Sequence, residues 1–264
     1  MNQNFSLLLY MRDQILLNLR ASYALRGSFY LQVLFMMLNN LIFFAIWIIF
    51  FNRMEEIRGW KLPDMMLLYA VVTSSFGVTM VMGGGLRRLA MLIAQGRLDS
   101  FLALPKPILL TTVSSESVPS GWGDICSGVL LFFLSGYLGG WQILSFIFVI
   151  FTSSLVLLAT GIILSSLSFW LMQVEGFARQ WFEYLITISC YPASIFTHPF
   201  KIILFTILPA GFVGFLPVQL IRGLELQTLG YVMAGSIFYV SLAHWIFHRG
   251  LRHYVSGNTL SLKT

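Results

Sequence analysis

Charge is what this sequence has least of. Only 10% of its 264 residues are Asp, Glu, Lys or Arg, against about 25% in an ordinary soluble domain. With 58% hydrophobic residues and a mean hydropathy of +0.83, that scarcity excludes a soluble globular fold. Cysteine is nearly absent too. Cys126 and Cys190 are too few for a disulfide framework and lack metal-ligand spacing, so both read as buried apolar fillers. No glycine-rich loop ends in Gly-Lys-Ser/Thr, which excludes ATP hydrolysis by this chain in the P-loop manner; Gly83-Gly84-Gly85 lacks the lysine and closes a span. No His-Glu-x-x-His occurs either. His244 and His248 share a helix face without a third ligand and read as interfacial histidines beside Trp245. The Ser/Thr-rich residues 111–119, with Glu116, have no nearby histidine and no Gly-x-Ser-x-Gly elbow, so they read as a capped, solvated loop. The first residues show no short apolar core with a cleavage site, so no removable signal peptide is expected. The net charge of +6 points to basic residues kept on one membrane side rather than to nucleic acid.

What is abundant is hydrocarbon in long runs. The pattern predicts an all-α polytopic membrane protein with six transmembrane helices. Residues 1–28 place Leu8, Ile15, Leu16 and Leu19 at helical spacing among Arg12, Asp13, Arg20 and Arg26, which predicts an N-terminal interfacial amphipathic helix. Residues 29–248 form the transmembrane domain, with spans over 29–51, 64–86, 121–139 and 142–171, a fifth running to Tyr191, and a sixth over 227–247. The glycine triplet lets a helix loosen or lets a neighbour come close. Glu175, Arg179 and Glu183 stand four apart and predict pairing across successive turns. After Tyr191-Pro192 the apolar pieces are too short and too rich in proline to span, and Pro209 and Pro217 break them again. Residues 192–223 therefore read as an outer re-entrant helical hairpin, and residues 249–264 as a cytoplasmic basic tail containing Arg249, Arg252, His253 and Lys263.

With both termini inside, the cytoplasmic set is Arg12, Arg20, Arg26, Arg87, Arg88, Arg97, Lys106, Arg179, Arg249, Arg252 and Lys263. The outer set is Arg53, Arg58, Lys61, Lys201 and Arg222. Eleven against five of the sixteen favours this orientation. The connection at 87–119 then faces the cytoplasm. Within it Gly96 ends a helix, Leu98, Phe101, Leu102 and Leu104 fall on one side of a short turn, and Pro105 and Pro107 stop it. Such an amphipathic segment lies on lipid or docks in a groove of a soluble partner. The first four spans and the sixth carry no ionisable residue at their centres, which argues against a proton-coupled carrier or a charged-ring channel. Work for transport then comes from a separate motor, and the cytoplasmic loop is where it is received.

The order of these features resembles the ABC-2 type transporter permeases, in the branch without a fused ATPase. The resemblance is carried by the Gly-x-Leu-Asp-x-x-Leu-x-x-Pro core from Gly96 to Pro105, Tyr191-Pro192, Leu208-Pro209-Ala210 with Pro217, and Arg249-Gly250-Leu251-Arg252-His253-Tyr254. It runs across nearly the whole chain. It implies an ABC-2 exporter fold in the bacterial inner membrane, paired with a second permease, identical or related. Two separate ABC ATPase subunits would dock below and bind ATP and Mg, leaving no cofactor in this chain. Residues 96–105 would be a cytoplasmic coupling helix, with Leu98, Phe101 and Leu102 as anchors and Arg97 and Asp99 at the rim. The proline hairpin would cap the outer side.

Two other classes stay in view. A membrane-embedded lipid-modifying enzyme needs Asp, His or Ser clustered at one depth, whereas Asp99, Asp124, Glu116 and His198 are scattered. A non-transporting assembly subunit needs none of these. Met36, Met37, Phe43, Phe44, Met80 and Met82 suit a bulky apolar or amphipathic cargo, but the same residues are ordinary lipid-facing and packing surface, which is the preferred reading.

Overall fold

Long apolar runs become long helices. The computed structural model describes residues 3–171 and 174–256, excluding the side chains of residues 3–8 and 11. The expected tail beyond residue 256, Lys263 included, and the side chain of Leu8 lie outside the described residues. The described elements are helical, with no strand among them. In chain order they are α1 (Gln3–Ala24), α2 (Arg26–Phe51), α3 (Leu62–Gly83), α4 (Leu86–Ala94), α5 (Asp99–Leu102), α6 (Ile108–Val113), α7 (Ser120–Leu134), α8 (Gly140–Ser166), α9 (Glu175–Ser189), α10 (His198–Phe205), α11 (Leu216–Arg222) and α12 (Leu226–Leu251).

Four helices are long and apolar enough to cross a membrane: α2, α3, α8 with its 3-10 extension to Phe169, and α12. The expected third and fifth spans are shorter. Both α7 and α9 have 15 residues, about 22 Å at ~1.5 Å per residue, against hydrocarbon about 30 Å thick. α7 stops at Leu134 because Ser135 Oγ donates to the Phe132 carbonyl and Gly136 turns left-handed at φ +77°. α9 carries the charged trio Glu175, Arg179 and Glu183 and is amphipathic rather than apolar.

α3 is the centre of the bundle: 78% of its most apolar stretch is buried, against 17% for α2 and 28% for α12, whose outer faces are left for lipid. Between apolar helices in a bilayer, packing and interhelical hydrogen bonds replace the hydrophobic effect. The α3–α7 contact rests on missing side chains, since a Cβ on Gly77 would stand 2.5 Å from the Gly121 carbonyl oxygen. Many serine and threonine hydroxyls inside the bundle bond back to their own helix, while those of Ser74, Ser145 and Ser153 are buried without a partner. Thr73 donates to the Tyr69 carbonyl, Ser75 to Val71 and Thr160 to Val156. Only a few cross helices, such as Thr79 Oγ1 to the Ser154 carbonyl at 3.3 Å.

The glycine triplet resolves to close approach. A Cβ on Gly85 would stand 2.1 Å from the Thr112 carbonyl oxygen, and one on Gly84 2.8 Å from that of Glu116. This clamps the α3–α4 corner onto α6. Residues 111–114 differ from the expected solvated loop. Thr111, Thr112 and Ser114 are buried, because the segment is wedged beneath that corner and its hydroxyls are spent on local carbonyls. Cys126 is also exposed rather than buried, since α7 turns Gly121 and Gly128 toward α3 and Gly123 toward α2, and this thiol toward neither. At the N-terminus α1 breaks from α2 at Leu25, and Asn18 Nδ2 donates to the Ser114 carbonyl at 3.0 Å. The first helix therefore leans on the α4–α6 segment.

At the opposite end a polar knot ties four segments. Asp64 caps α3 by accepting the Lys61 backbone N–H at 2.9 Å. It also accepts the Tyr137 hydroxyl at 2.7 Å and the Arg222 guanidinium at 3.2 Å. Arg222 lies over the Trp60 ring, 5.5 Å from its centroid. Asp64 is buried while Arg222 stays partly solvated, so the pair is discounted for screening. We expect Arg222→Gln to cost about 1–3 kcal/mol by stranding part of the Asp64 carboxylate, read as a lower thermal midpoint in detergent. A midpoint unchanged from wild type contradicts the knot.

Candidate functional site

The segment between α4 and α6 is built by helix-ending chemistry. Leu92 and Ile93 are the last inward residues of α4. Gly96 then turns left-handed at φ +63°, its N–H donating to the Ile93 carbonyl and that of Arg97 to Leu92. One helical turn follows, α5, before Pro105 and Pro107 end it. The expected apolar face splits in two. Leu98 is fully buried and packs inward, and Phe101 is half-buried against the core. Leu102 and Leu104 are 46% and 45% exposed, so the outward apolar pair is these two, and Leu98 supports the turn from beneath. Arg97 is exposed.

Asp99 does not stand free at a rim. The C-terminal residues fold back from α12 and hold it: the Tyr254 hydroxyl donates to Asp99 Oδ1 at 3.0 Å and Ser256 Oγ to Oδ2 at 2.6 Å. The same Tyr254 oxygen accepts the Leu98 backbone N–H at 2.9 Å. Phe169, at the end of α8, packs edge-on against Tyr254 and Phe247. The single turn of α5 is thus fastened to the ends of two long helices. Burial, then the Asp99 carboxylate, pushes the Tyr254 phenol from its ordinary 10 up to about 12. Because the folded value is the higher one, the clasp is fully present below pH ~10 and is lost as pH rises through about 12. The difference in phenolate absorbance between wild type and Tyr254→Phe is expected to show one phenol titrating near 12; titration near 10 contradicts the clasp.

The proline-rich stretch 192–223 is a helix–turn–helix. Tyr191 meets Trp47 edge-on at 5.6 Å, and Pro192 is buried in extended backbone. Thr197 precedes α10, with Pro199 in its first turn. Buried Pro209 starts the returning helix, and its carbonyl accepts the N–H groups of Phe212 and Val213. Pro217 has no N–H to give, and the helix before it widens into a π turn over Gly211–Phe215. The turn between the two arms sits beside the middle of α12, where the Tyr239 hydroxyl donates to the Thr206 carbonyl at 2.6 Å. Arg222 returns to Asp64 at the helix ends.

Three arrangements escaped sequence reasoning. Asn40, at the middle of α2, donates from Nδ2 to Asp124 Oδ1 and to Ser127 Oγ, both at 2.8 Å. Asp124 Oδ2 is buried without a partner. The first spans therefore hold one buried carboxyl facing a helix centre, which weakens the argument from their lack of ionisable groups. Arg88 forms an ion pair with Glu116 across the α4–α6 corner. Glu175, Arg179 and Glu183 form no ion pair with one another among the described residues; their side chains turn instead into a cavity shared with Arg87 and Arg88. His244 and His248 have ring centroids 4.0 Å apart, tilted by 35°, and among the described residues no three potential metal ligands gather.

These features define a polytopic helical membrane protein with a short, clasped helical turn at one end and a proline-broken hairpin at the other. The chain belongs to the ABC-2 family transporter proteins, whose family model matches residues 34–258. It is thus a permease-type membrane component of an ABC transporter, a family that works with ABC ATPase subunits. The match takes in both the loop and the hairpin. No curated protein and no solved structure matches the chain significantly.

Proposed function

We propose that this chain is the membrane subunit of an ABC exporter, moving a substrate across the bacterial inner membrane, or between its leaflets, with ATP hydrolysed by separate subunits. Two ATPase subunits dock at the α4–α6 end and hold ATP and Mg; a second permease, identical or related, completes the path. In this reading the chain crosses six times, with α7 and α9 as the short crossings, both termini cytoplasmic and the 192–223 hairpin as the outer cap. The carrying observation is the α5 turn, which presents Leu102 and Leu104 outward while Leu98, Asp99 and Tyr254 fasten it to α12 and α8. A partner with two conformations would bias two arrangements of the spans through that joint. The local bonding of the Thr111, Thr112 and Ser115 hydroxyls leaves a lipid-modifying centre without a nucleophile there.

Purification of the tagged protein from its native host in mild detergent, with co-purifying chains identified by mass, tests this reading. A stoichiometric P-loop ATPase is expected. Recovery of this chain alone, even after cross-linking in membranes, overturns it.

A further inference from the structure

A cavity of about 510 Å³ opens where α3 turns into α4, within the range of small-molecule sites. Its chemistry changes with depth. Arg87, Arg88 and Glu116 stand at the corner, beside Glu175 and Arg179 from the first turns of α9. Further along, Phe76 and Met80 of α3 face Phe182 and Ile186 of α9, with Met36 closing the side toward α2. The Phe76 and Phe182 rings pack on each other, centroids 6.4 Å apart and tilted by 45°, and form one continuous aromatic wall for the apolar part.

The charges lining this cavity are only partly spent. Arg88 is taken by Glu116. Arg87, Arg179, Glu175 and Glu183 form no ion pair among the described residues, although all four line the cavity. A purely anionic ligand would satisfy the two arginines and meet two carboxylates; a purely cationic one would do the reverse. A neutral ligand would leave all four to water. One chemistry fits both signs and the apolar wall together: an anion and a cation on one head, joined to an apolar tail.

We propose that this cavity is the loading site for a zwitterionic amphiphile of the phospholipid type, bearing a phosphate-like anion and an ammonium. The proposal rests on the permease reading and names the substrate class for it. Arg87 and Arg179 take the anion, Glu175 and Glu183 the cation, and the tail lies along the aromatic wall of Phe76 and Phe182. Loading is also placed next to the motor joint. A second cleft, lined by Arg97, Ser100 and Phe101, reaches the same Arg88–Glu116 pair from the α5 side. That one ion pair is the partition between the cavity and the loop.

The test is binding by the full chain in dodecyl maltoside, without any ATPase, using radiolabelled dioleoyl phosphatidylethanolamine. The anionic phosphatidylglycerol, a cationic dioleoyl trimethylammonium lipid and uncharged dioleoylglycerol serve as competitors. We expect the zwitterion to bind about tenfold or more tighter than each competitor. Arg179→Gln and Glu183→Gln should each weaken it by about the same factor, with Arg12→Gln unaffected and the helical circular dichroism of all three unchanged. Equal competition by any one-signed or uncharged lipid overturns the proposal, as do Arg179→Gln and Glu183→Gln variants that bind like wild type. Since no ATPase enters the assay, failure here leaves the permease reading standing, and an absent ATPase in co-purification leaves this result standing.

Discussion

Leu102→Asp is expected to abolish ATP-driven transport while the protein still inserts and folds. Leu102 is 46% exposed on the single turn of α5, so the substitution costs the fold within about 0.5 kcal/mol. In an apolar groove of an ATPase, an unpaired carboxylate would cost at least about 3 kcal/mol, more than about a hundredfold in affinity. Reconstituted permease and ATPase should then hydrolyse ATP without moving substrate, or fail to associate. Leu98→Asp supplies the contrast. Leu98 has no exposed surface, so its carboxylate would enter the protein's own core and lower the thermal midpoint before any partner is met. If transport survives Leu102→Asp, the coupling role assigned to α5 is wrong.

Gly77→Leu should severely damage the fold. The close approach is mutual: a Cβ on Gly77 would stand 2.5 Å from the Gly121 carbonyl oxygen, and one on Gly121 2.9 Å from that of Gly77. Along the same seam a Cβ on Gly128 would stand 2.1 Å from Ser74 Oγ. Helix backbone cannot retreat as a flexible side chain can, so α3 and α7 would have to separate along their length. The cost is expected to exceed the ~1–3 kcal/mol of ordinary overpacking. Size-exclusion profiles and thermal midpoints check it: the Gly77→Leu protein should aggregate or melt far below wild type, with Gly77→Ala intermediate. A wild-type midpoint for Gly77→Leu contradicts the packing of α3 on α7.

Composition and apolar run length made the membrane class and the four long helices legible, because a span is a local property of some twenty residues. Prolines marked the hairpin for the same reason: Pro192, Pro209 and Pro217 act on their own backbone. What stayed hidden depends on partners far away in sequence. Tyr254 lies 156 residues from Leu98 and Asn40 84 from Asp124, and periodicity names a face without naming what covers it. The α5 turn shows the same limit. Four residues are too few to define a buried side, so Leu98 and Leu102 read alike until Tyr254 and the core fixed their different roles.

The most direct test of the central claim is cross-linking from the turn itself. In a chain with Cys126 and Cys190 replaced by serine, Leu102→Cys would carry a short photoactivatable cross-linker in native-host membranes. The expected adduct has a P-loop ATPase as its second component and forms from this position, not from a matching Met54→Cys in the connection that follows α2. No adduct from Leu102→Cys, or an adduct to lipid alone, would contradict it.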